Sequence, residues 1–195
     1  MPASDARTAL IETALADLAR VSPSFGARAV ARKAGVNHGL IPYYFKDAEG
    51  LLLASIEEAT AKYLEAFAEL MNGRSDPVER QGPALVDTMI DWALTVIRTD
   101  PAHFARKRNI CSLAADNQNV ARYAQKLVAS EVAMTSNFIA SVRGRKVCTQ
   151  SDETTAHLLI ALFDGIAAQA AIGVAVDTAA VTATVWQMLV LPEGG

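Results

Sequence analysis

In residues 27–45 two short helix-forming stretches flank the tripeptide Gly35-Val36-Asn37, and that arrangement limits the fold more than any other part of the chain. Val30, Ala31 and Ala34 recur at the spacing of one buried helical stripe, with Arg28, Arg32 and Lys33 pointing the other way, so 27–34 reads as a helix. Gly35 stops it by supplying a left-handed backbone conformation, Val36 packs beneath the turn, and Asn37 caps a second short helix over 38–44. Two short helices joined by a three-residue, glycine-led turn form a helix-turn-helix.

The remaining sequence parses into longer helices. Ser4 caps a first helix that ends near Val21, with Ile11, Ala14, Leu15 and Leu18 as its buried stripe. Asp47 caps a helix that runs to about Met71. Asp76-Pro77-Val78-Glu79 has Asp at the cap, Pro at the first helical position and Glu three residues after the cap, and starts a helix to about Thr99 with Gly82-Pro83 as a kink. Asp100-Pro101 repeats the device for a helix ending near Asp116. Asn119 opens a helix to Val142 closed by Gly144, Ser151 opens an apolar helix to about Gly173, and Asp177 opens the last, to about Leu191. Alanine is abundant and β-branched residues do not alternate, so the expectation is an all-α chain of about nine helices.

Charge is unevenly distributed. The formal net charge is -3, yet residues 1–46 carry six basic and three acidic side chains while the remainder carries a net -6. Between Gly26 and Lys46 there are four basic residues and no acidic one, a local field that attracts a polyanion whatever the overall sum. Residues 156–176 are apolar enough to suggest a membrane span, but Asp164 lies near the centre, where a carboxylate costs roughly 3 kcal/mol, so the segment is expected to be a helix covered by protein. Cys111 and Cys148 lack the spacing of a metal site, His38, His103 and His157 are far apart, and there is no phosphate loop or nucleophile elbow. The expectations are no metal, no cofactor, no enzymatic activity, no membrane partner and a cytoplasmic location.

The run Ala31-Arg32-Lys33-Ala34-Gly35-Val36-Asn37-His38-Gly39-Leu40-Ile41-Pro42-Tyr43-Tyr44-Phe45 resembles the helix-turn-helix signature of the tetracycline-repressor (TetR) family, as does the Lys46-Asp47-Ala48-Glu49-Gly50-Leu51-Leu52 opening of the next helix. The resemblance implies a helix-turn-helix DNA-binding domain over 1–46 and a helical effector-binding and dimerisation domain over 47–195. It further implies a transcriptional regulator, a repressor by expectation, that binds a palindromic operator in double-stranded DNA as a homodimer and is released by a small molecule. A helix beginning at His38 would present its first turn to the major groove. His38 and Arg28 are then base readers, Asn37 the cap, Gly39 the point of close backbone approach, and Leu40 the contact for a thymine methyl. Tyr43, Tyr44 and Lys46 suit phosphates.

Three positions depart from the family pattern. Pro42 replaces the usual aromatic and threatens to distort the recognition helix, Ala48 replaces a phosphate-holding lysine, and Gly26 stands near the usual Ser or Thr cap. They predict a lighter grip on DNA, and in the alternative reading a TetR-like ligand-sensing dimer that has lost specific DNA binding. In the second domain Phe67, Met71, Trp92, Phe104, Met134 and Phe138, with the polar His103 and Arg106, are the side chains expected to enclose a largely apolar effector. Leu159, Phe163, Ile166 and Ala170, together with Val181, Val185, Met188 and Leu189, are expected to form a four-helix bundle with a second copy.

Overall fold

The computed structural model describes residues 3–20, 25–72 and 83–190. Among these there are nine helices and no strand, so the chain is all-α: α1 (Ala3–Leu18), α2 (Ala27–Lys33), α3 (Leu40–Phe45), α4 (Ala48–Asn72), α5 (Pro83–Thr99), α6 (Pro101–Asp116), α7 (Gln118–Val142), α8 (Gln150–Ala171) and α9 (Thr178–Val190). The chain divides into two compact units, Met1–Ala66 with Ala102–Leu127, and Phe67–Pro101 with Val128–Gly195. The side chains of Ser4 and Met71 and the start signal at 76–79 lie outside the described residues.

The first unit is built on α1. Leu10, Ile11 and Ala14 meet Val30 and Ala31 of α2, Ile41 and Phe45 of α3, and Leu51 of α4 in one buried cluster. Further along α1, Leu18 joins Leu52 and Ile56 of α4, Ile110 of α6, and Val120 and Ala124 of α7 in a second. Helices distant in sequence therefore complete the unit that holds the helix-turn-helix. Asn109 on α6 donates through Nδ2 to the carbonyls of Leu18 (2.8 Å) and Arg20 (2.5 Å), satisfying acceptors that the end of α1 leaves open. Glu49 Oε1 at the start of α4 accepts from the amides of Asn117 (3.0 Å) and Asn119 (3.1 Å) at the start of α7. Asn117 caps α7 itself, its Oδ1 accepting from the backbone of Asn119 and Val120.

In the second unit Leu85, Val86, Met89 and Ile90 of α5 pack with Phe138 and Ile139 of α7, Leu159, Phe163 and Ile166 of α8, and Val185 and Leu189 of α9. α8 is long and apolar enough to cross a membrane by length and composition. Leu159, Phe163 and Ile166 nevertheless belong to this core while Leu158 is exposed, and the helix opens on a fully built capping box: Asp152 N–H donates to Thr149 Oγ1 (3.3 Å) while Thr149 N–H donates to Asp152 Oδ2 (2.9 Å). The cap is thus Thr149 rather than a residue at 151. Asp152, fully buried, also accepts from Arg143 (3.0 Å) and from Arg145. Arg143 goes on to donate to the carbonyls of Met188 and Leu189, both at 3.2 Å, which holds the end of α9 to the end of α7. Trp186 Nε1 donates to Asp87 Oδ1 at 2.7 Å, joining α9 to α5.

Candidate nucleic-acid interface

The turn between α2 and α3 closes as its residues dictate. The N–H of Val36 donates to the carbonyl of Ala31 (3.1 Å) and that of Gly35 to Arg32 (3.3 Å), with Gly35 at φ +67°, which together make a Schellman stop. Asn37 Oδ1 accepts from the N–H of Gly39 at 2.8 Å, but the residue that caps α3 is Gly39 rather than Asn37, with no side-chain bond to the helix. The chain then tightens: Leu40 N–H donates to Asn37 O (3.0 Å) and Ile41 N–H to His38 O (3.1 Å), three-residue spacings that precede the regular helix. α3 consequently begins at Leu40, two residues after the position expected from sequence.

Pro42 explains the delay. Its ring cannot coexist with a helical bond to the carbonyl of His38, and that carbonyl is instead occupied by Ile41. Pro42 thereby becomes the third residue of α3, in the first turn, where backbone donors have no intrahelical partner anyway. The expected distortion takes the form of a shortened entry, and the rest of α3 is regular. Ile41 and Phe45 are buried on the core side. Tyr43 is 76% exposed, whereas Tyr44 is half-buried with its ring edge-on to Tyr43 at 4.8 Å and to Phe45 at 6.1 Å. Arg28, Asn37, His38, Gly39 and Lys46 are exposed and Leu40 is partly so.

Three features of this unit were not read from sequence. Lys33 Nζ lies 2.5 Å from Asp17 Oδ1, and Asp17 is buried on α1, so this ammonium ties α2 to α1. The guanidinium of Arg7 sits 5.6 Å over the ring of Phe45. At the start of α4 Gly50 lies so close beneath the end of α3 that a Cβ there would come within 1.8 Å of the Phe45 carbonyl oxygen. The N–H of Gly50 donates to Asp47 Oδ1 (2.8 Å), the cap read from sequence, and Lys46 between the two helices adopts φ +73°. At the other weak points, Gly26 caps α2 with no side-chain bond and Ala48 is partly buried at the first position of α4.

The residues named for an effector fall in both units. In the second, Phe67 and Phe138 are buried in the core, Trp92 and Met134 pack against it, and Phe67 meets Trp92 edge-on at 5.4 Å. In the first, His103 stacks on Tyr63 at 4.5 Å and meets Phe104 edge-on at 5.0 Å, with Arg106 partly buried on the same helix. Of these, none of the seven whose side chains are described lines the cavity of about 380 Å³ that the second unit holds where the ends of α5 and α8 meet the start of α9. Of the residues named for dimerisation, Leu159, Phe163, Ile166, Val185 and Leu189 are buried inside the chain's own core, Val181 and Met188 are partly buried, and Ala170 is exposed. The large apolar side chains left exposed on α8 and just beyond it, among the described residues, are Leu158 (55%), Ile172 (80%) and the cavity-lining Val174 (46%), with Ala161 exposed between the first two. Gly165 lies on the same stripe, and a Cβ added there would meet open space.

No protein-family model matches the chain. The curated HTH-type transcriptional regulator BetI of Escherichia coli O127:H6 is 28% identical to it over 144 residues, 73% of this chain and 70% of the relative. Among solved structures, a TetR transcription regulator from Haloarcula marismortui aligns with a TM-score of 0.72 over 95% of this chain and 97% of its own, at 16% identity. The multidrug-binding protein EbrR, solved in complex with proflavin, aligns with a TM-score of 0.61 over 94% of this chain and 99% of its own, at 18% identity. The two structural likenesses concern the fold, and the sequence likeness to BetI concerns the kind of regulator.

Proposed function

As a member of the TetR family of helix-turn-helix transcriptional regulators, the chain acts, we propose, as a homodimeric repressor in the cytoplasm that holds a palindromic operator and lets go when a small, largely apolar effector binds. The observation that carries this reading is the α2–turn–α3 segment, which keeps Arg28, His38, Tyr43 and Lys46 exposed while burying Ile41 and Phe45. His38, in the turn that leads into α3, and Arg28 read base edges; Tyr43 and Lys46 take phosphates. Gly39 lets the backbone approach the duplex.

A second copy is supported by Gly165. Glycine inside a helix is unfavourable by roughly 0.5–1 kcal/mol relative to alanine, and among the described residues nothing lies within 4 Å of where its Cβ would stand. With Leu158, Ala161 and Ile172 it leaves a surface on which another helix can lie close, so we place the partner there. Leu159, Phe163, Ile166, Val185 and Leu189 then support the interface from behind. A two-fold dimer sets its recognition helices about one DNA turn apart or somewhat more, hence the palindrome.

The engagement of Lys33 by Asp17 favours a second reading, a ligand-sensing dimer without specific DNA binding, because it removes one cation from the basic segment in addition to the missing lysine at 48 and the missing cap at 26. Footprinting on the DNA upstream of the protein's own gene separates the two. A protected palindrome, weakened when His38 or Arg28 is replaced by Ala, supports the repressor; absence of protection on every promoter fragment supports the sensor.

A further inference from the structure

We propose that the cavity in the second unit binds an aliphatic monocarboxylate, with its chain among Leu94, Ile97, Ile166 and Val176 and its carboxylate on the guanidinium of Arg98. This rests on the effector reading above and gives the effector a chemical class. The cavity has about 380 Å³, within the usual range for a small-molecule site, and most of its lining is aliphatic. The two polar side chains that line it are Arg98 and Thr178.

The charge and shape of that lining select among ligands. An organic cation is refused on three counts: no carboxylate lines the cavity to neutralise it, no aromatic face is there to hold it, and Arg98 repels it. Asp177, next to Thr178 in the chain, keeps its carboxylate on the backbone amides of Ala179 and Ala180. Arg98 is exposed at the edge of the cavity, so a neutral hydrocarbon would fill the apolar end and leave the guanidinium to water, whereas a carboxylate gains one further charged pair. The side-chain bond of Arg98 is to the hydroxyl of Thr95 at 3.1 Å, and no ion pair to it exists among the described residues. Four of the five guanidinium N–H groups are therefore open to a carboxylate, for which the planar fork is well matched. A ligand so placed would join the end of α5 to the end of α8 and to the segment leading into α9, beside the surface proposed for the dimer.

Calorimetric titration of the full-length protein with octanoate, 1-octanol and octylammonium tests the inference directly, without DNA. The expected result is octanoate binding about threefold to fivefold tighter than either, as one solvent-exposed charged pair implies. Arg98→Gln should remove that preference and Arg98→Lys should keep most of it. Ala171→Phe, which places a ring in the cavity from an exposed position, should weaken octanoate and octanol alike. Should that variant melt early, the Arg98 pair decides. Preference for octylammonium or octanol, or octanoate binding unmoved by Arg98→Gln, overturns the proposal. Release of a labelled operator fragment by octanoate is then measured separately: binding without release supports the site and removes the effector role, whereas intact operator binding with no octanoate affinity overturns the site and leaves the regulator reading standing.

Discussion

Two single residues carry more of this structure than their size suggests. Gly50 is needed because the Phe45 carbonyl occupies the space where any Cβ would go, so Gly50→Ala must push α3 away from α4. The expected loss is about 1–3 kcal/mol of unfolding free energy, typical of overpacking, read by urea denaturation, with operator affinity falling in parallel because α3 is the element displaced. Asp152 is the other. Burial raises the pKa of its carboxyl, but the backbone and hydroxyl of Thr149 and the guanidinium of Arg145 outweigh that and hold it below the usual carboxylate range. A carboxyl whose folded-state pKa is depressed contributes stability that is complete above its unfolded value of about 3.9 and is lost as pH falls through the folded value. Asp152→Asn should therefore flatten the acid limb of the stability profile. At neutral pH it should cost about 3–5 kcal/mol, because Arg143 and Arg145 lose their anion.

At the scale of elements, the position of Pro42 makes a sharp prediction. A proline in a helix interior costs about 3 kcal/mol, so its removal there would stabilise the protein by that much. In the first turn of α3, with the His38 carbonyl already bonded to Ile41, Pro42→Ala should change unfolding free energy by less than about 0.5 kcal/mol. A gain of several kcal/mol on thermal unfolding would show that α3 starts earlier than described. Local signals of this kind account for what was legible in the sequence. The Gly35 stop, the Asp47 cap and the proline that opens α6 act over three or four residues, and they placed α2, α4 and α6 to within a residue or two. α8 was opened at Ser151 because the reciprocal Thr149–Asp152 pair went unrecognised. Apolar periodicity on α8 and α9 does not distinguish the chain's own core, where Leu159, Phe163, Ile166, Val185 and Leu189 are buried, from a face for a second copy. The proposed dimer surface therefore adds the less conspicuous Leu158, Ala161, Gly165 and Ile172. The bonds of Lys33 to Asp17 and of Asn109 to Leu18 join residues 16 and 91 positions apart, and no local pattern announces either.

For the whole molecule, stability and the proposed assembly should separate cleanly, while DNA binding follows assembly. A Cβ at Gly165 meets no described atom within 4 Å, so the melting temperature of Gly165→Leu at low protein concentration should hold. Light scattering should nevertheless show a monomer, and operator affinity should drop with the loss of the second half-site contact. Operator affinity should also fall with salt less steeply than eight phosphate contacts per dimer require, a slope shallower than about -7 in log-log form, given the cations that 33 and 48 do not supply. A gel-shift titration across salt concentrations checks this. The amide of Asn109 has one further consequence, for synthesis. On the ribosome the helix-turn-helix emerges before α6 and α7, and Leu18, Leu52 and Ile56 lack the cover of Ile110, Val120 and Ala124 until those residues have been made. A nascent chain released after Ala66 should be readily digested by protease, and protection should arise only once residue 127 has cleared the exit tunnel, so the DNA-reading head matures after much of the polypeptide that follows it.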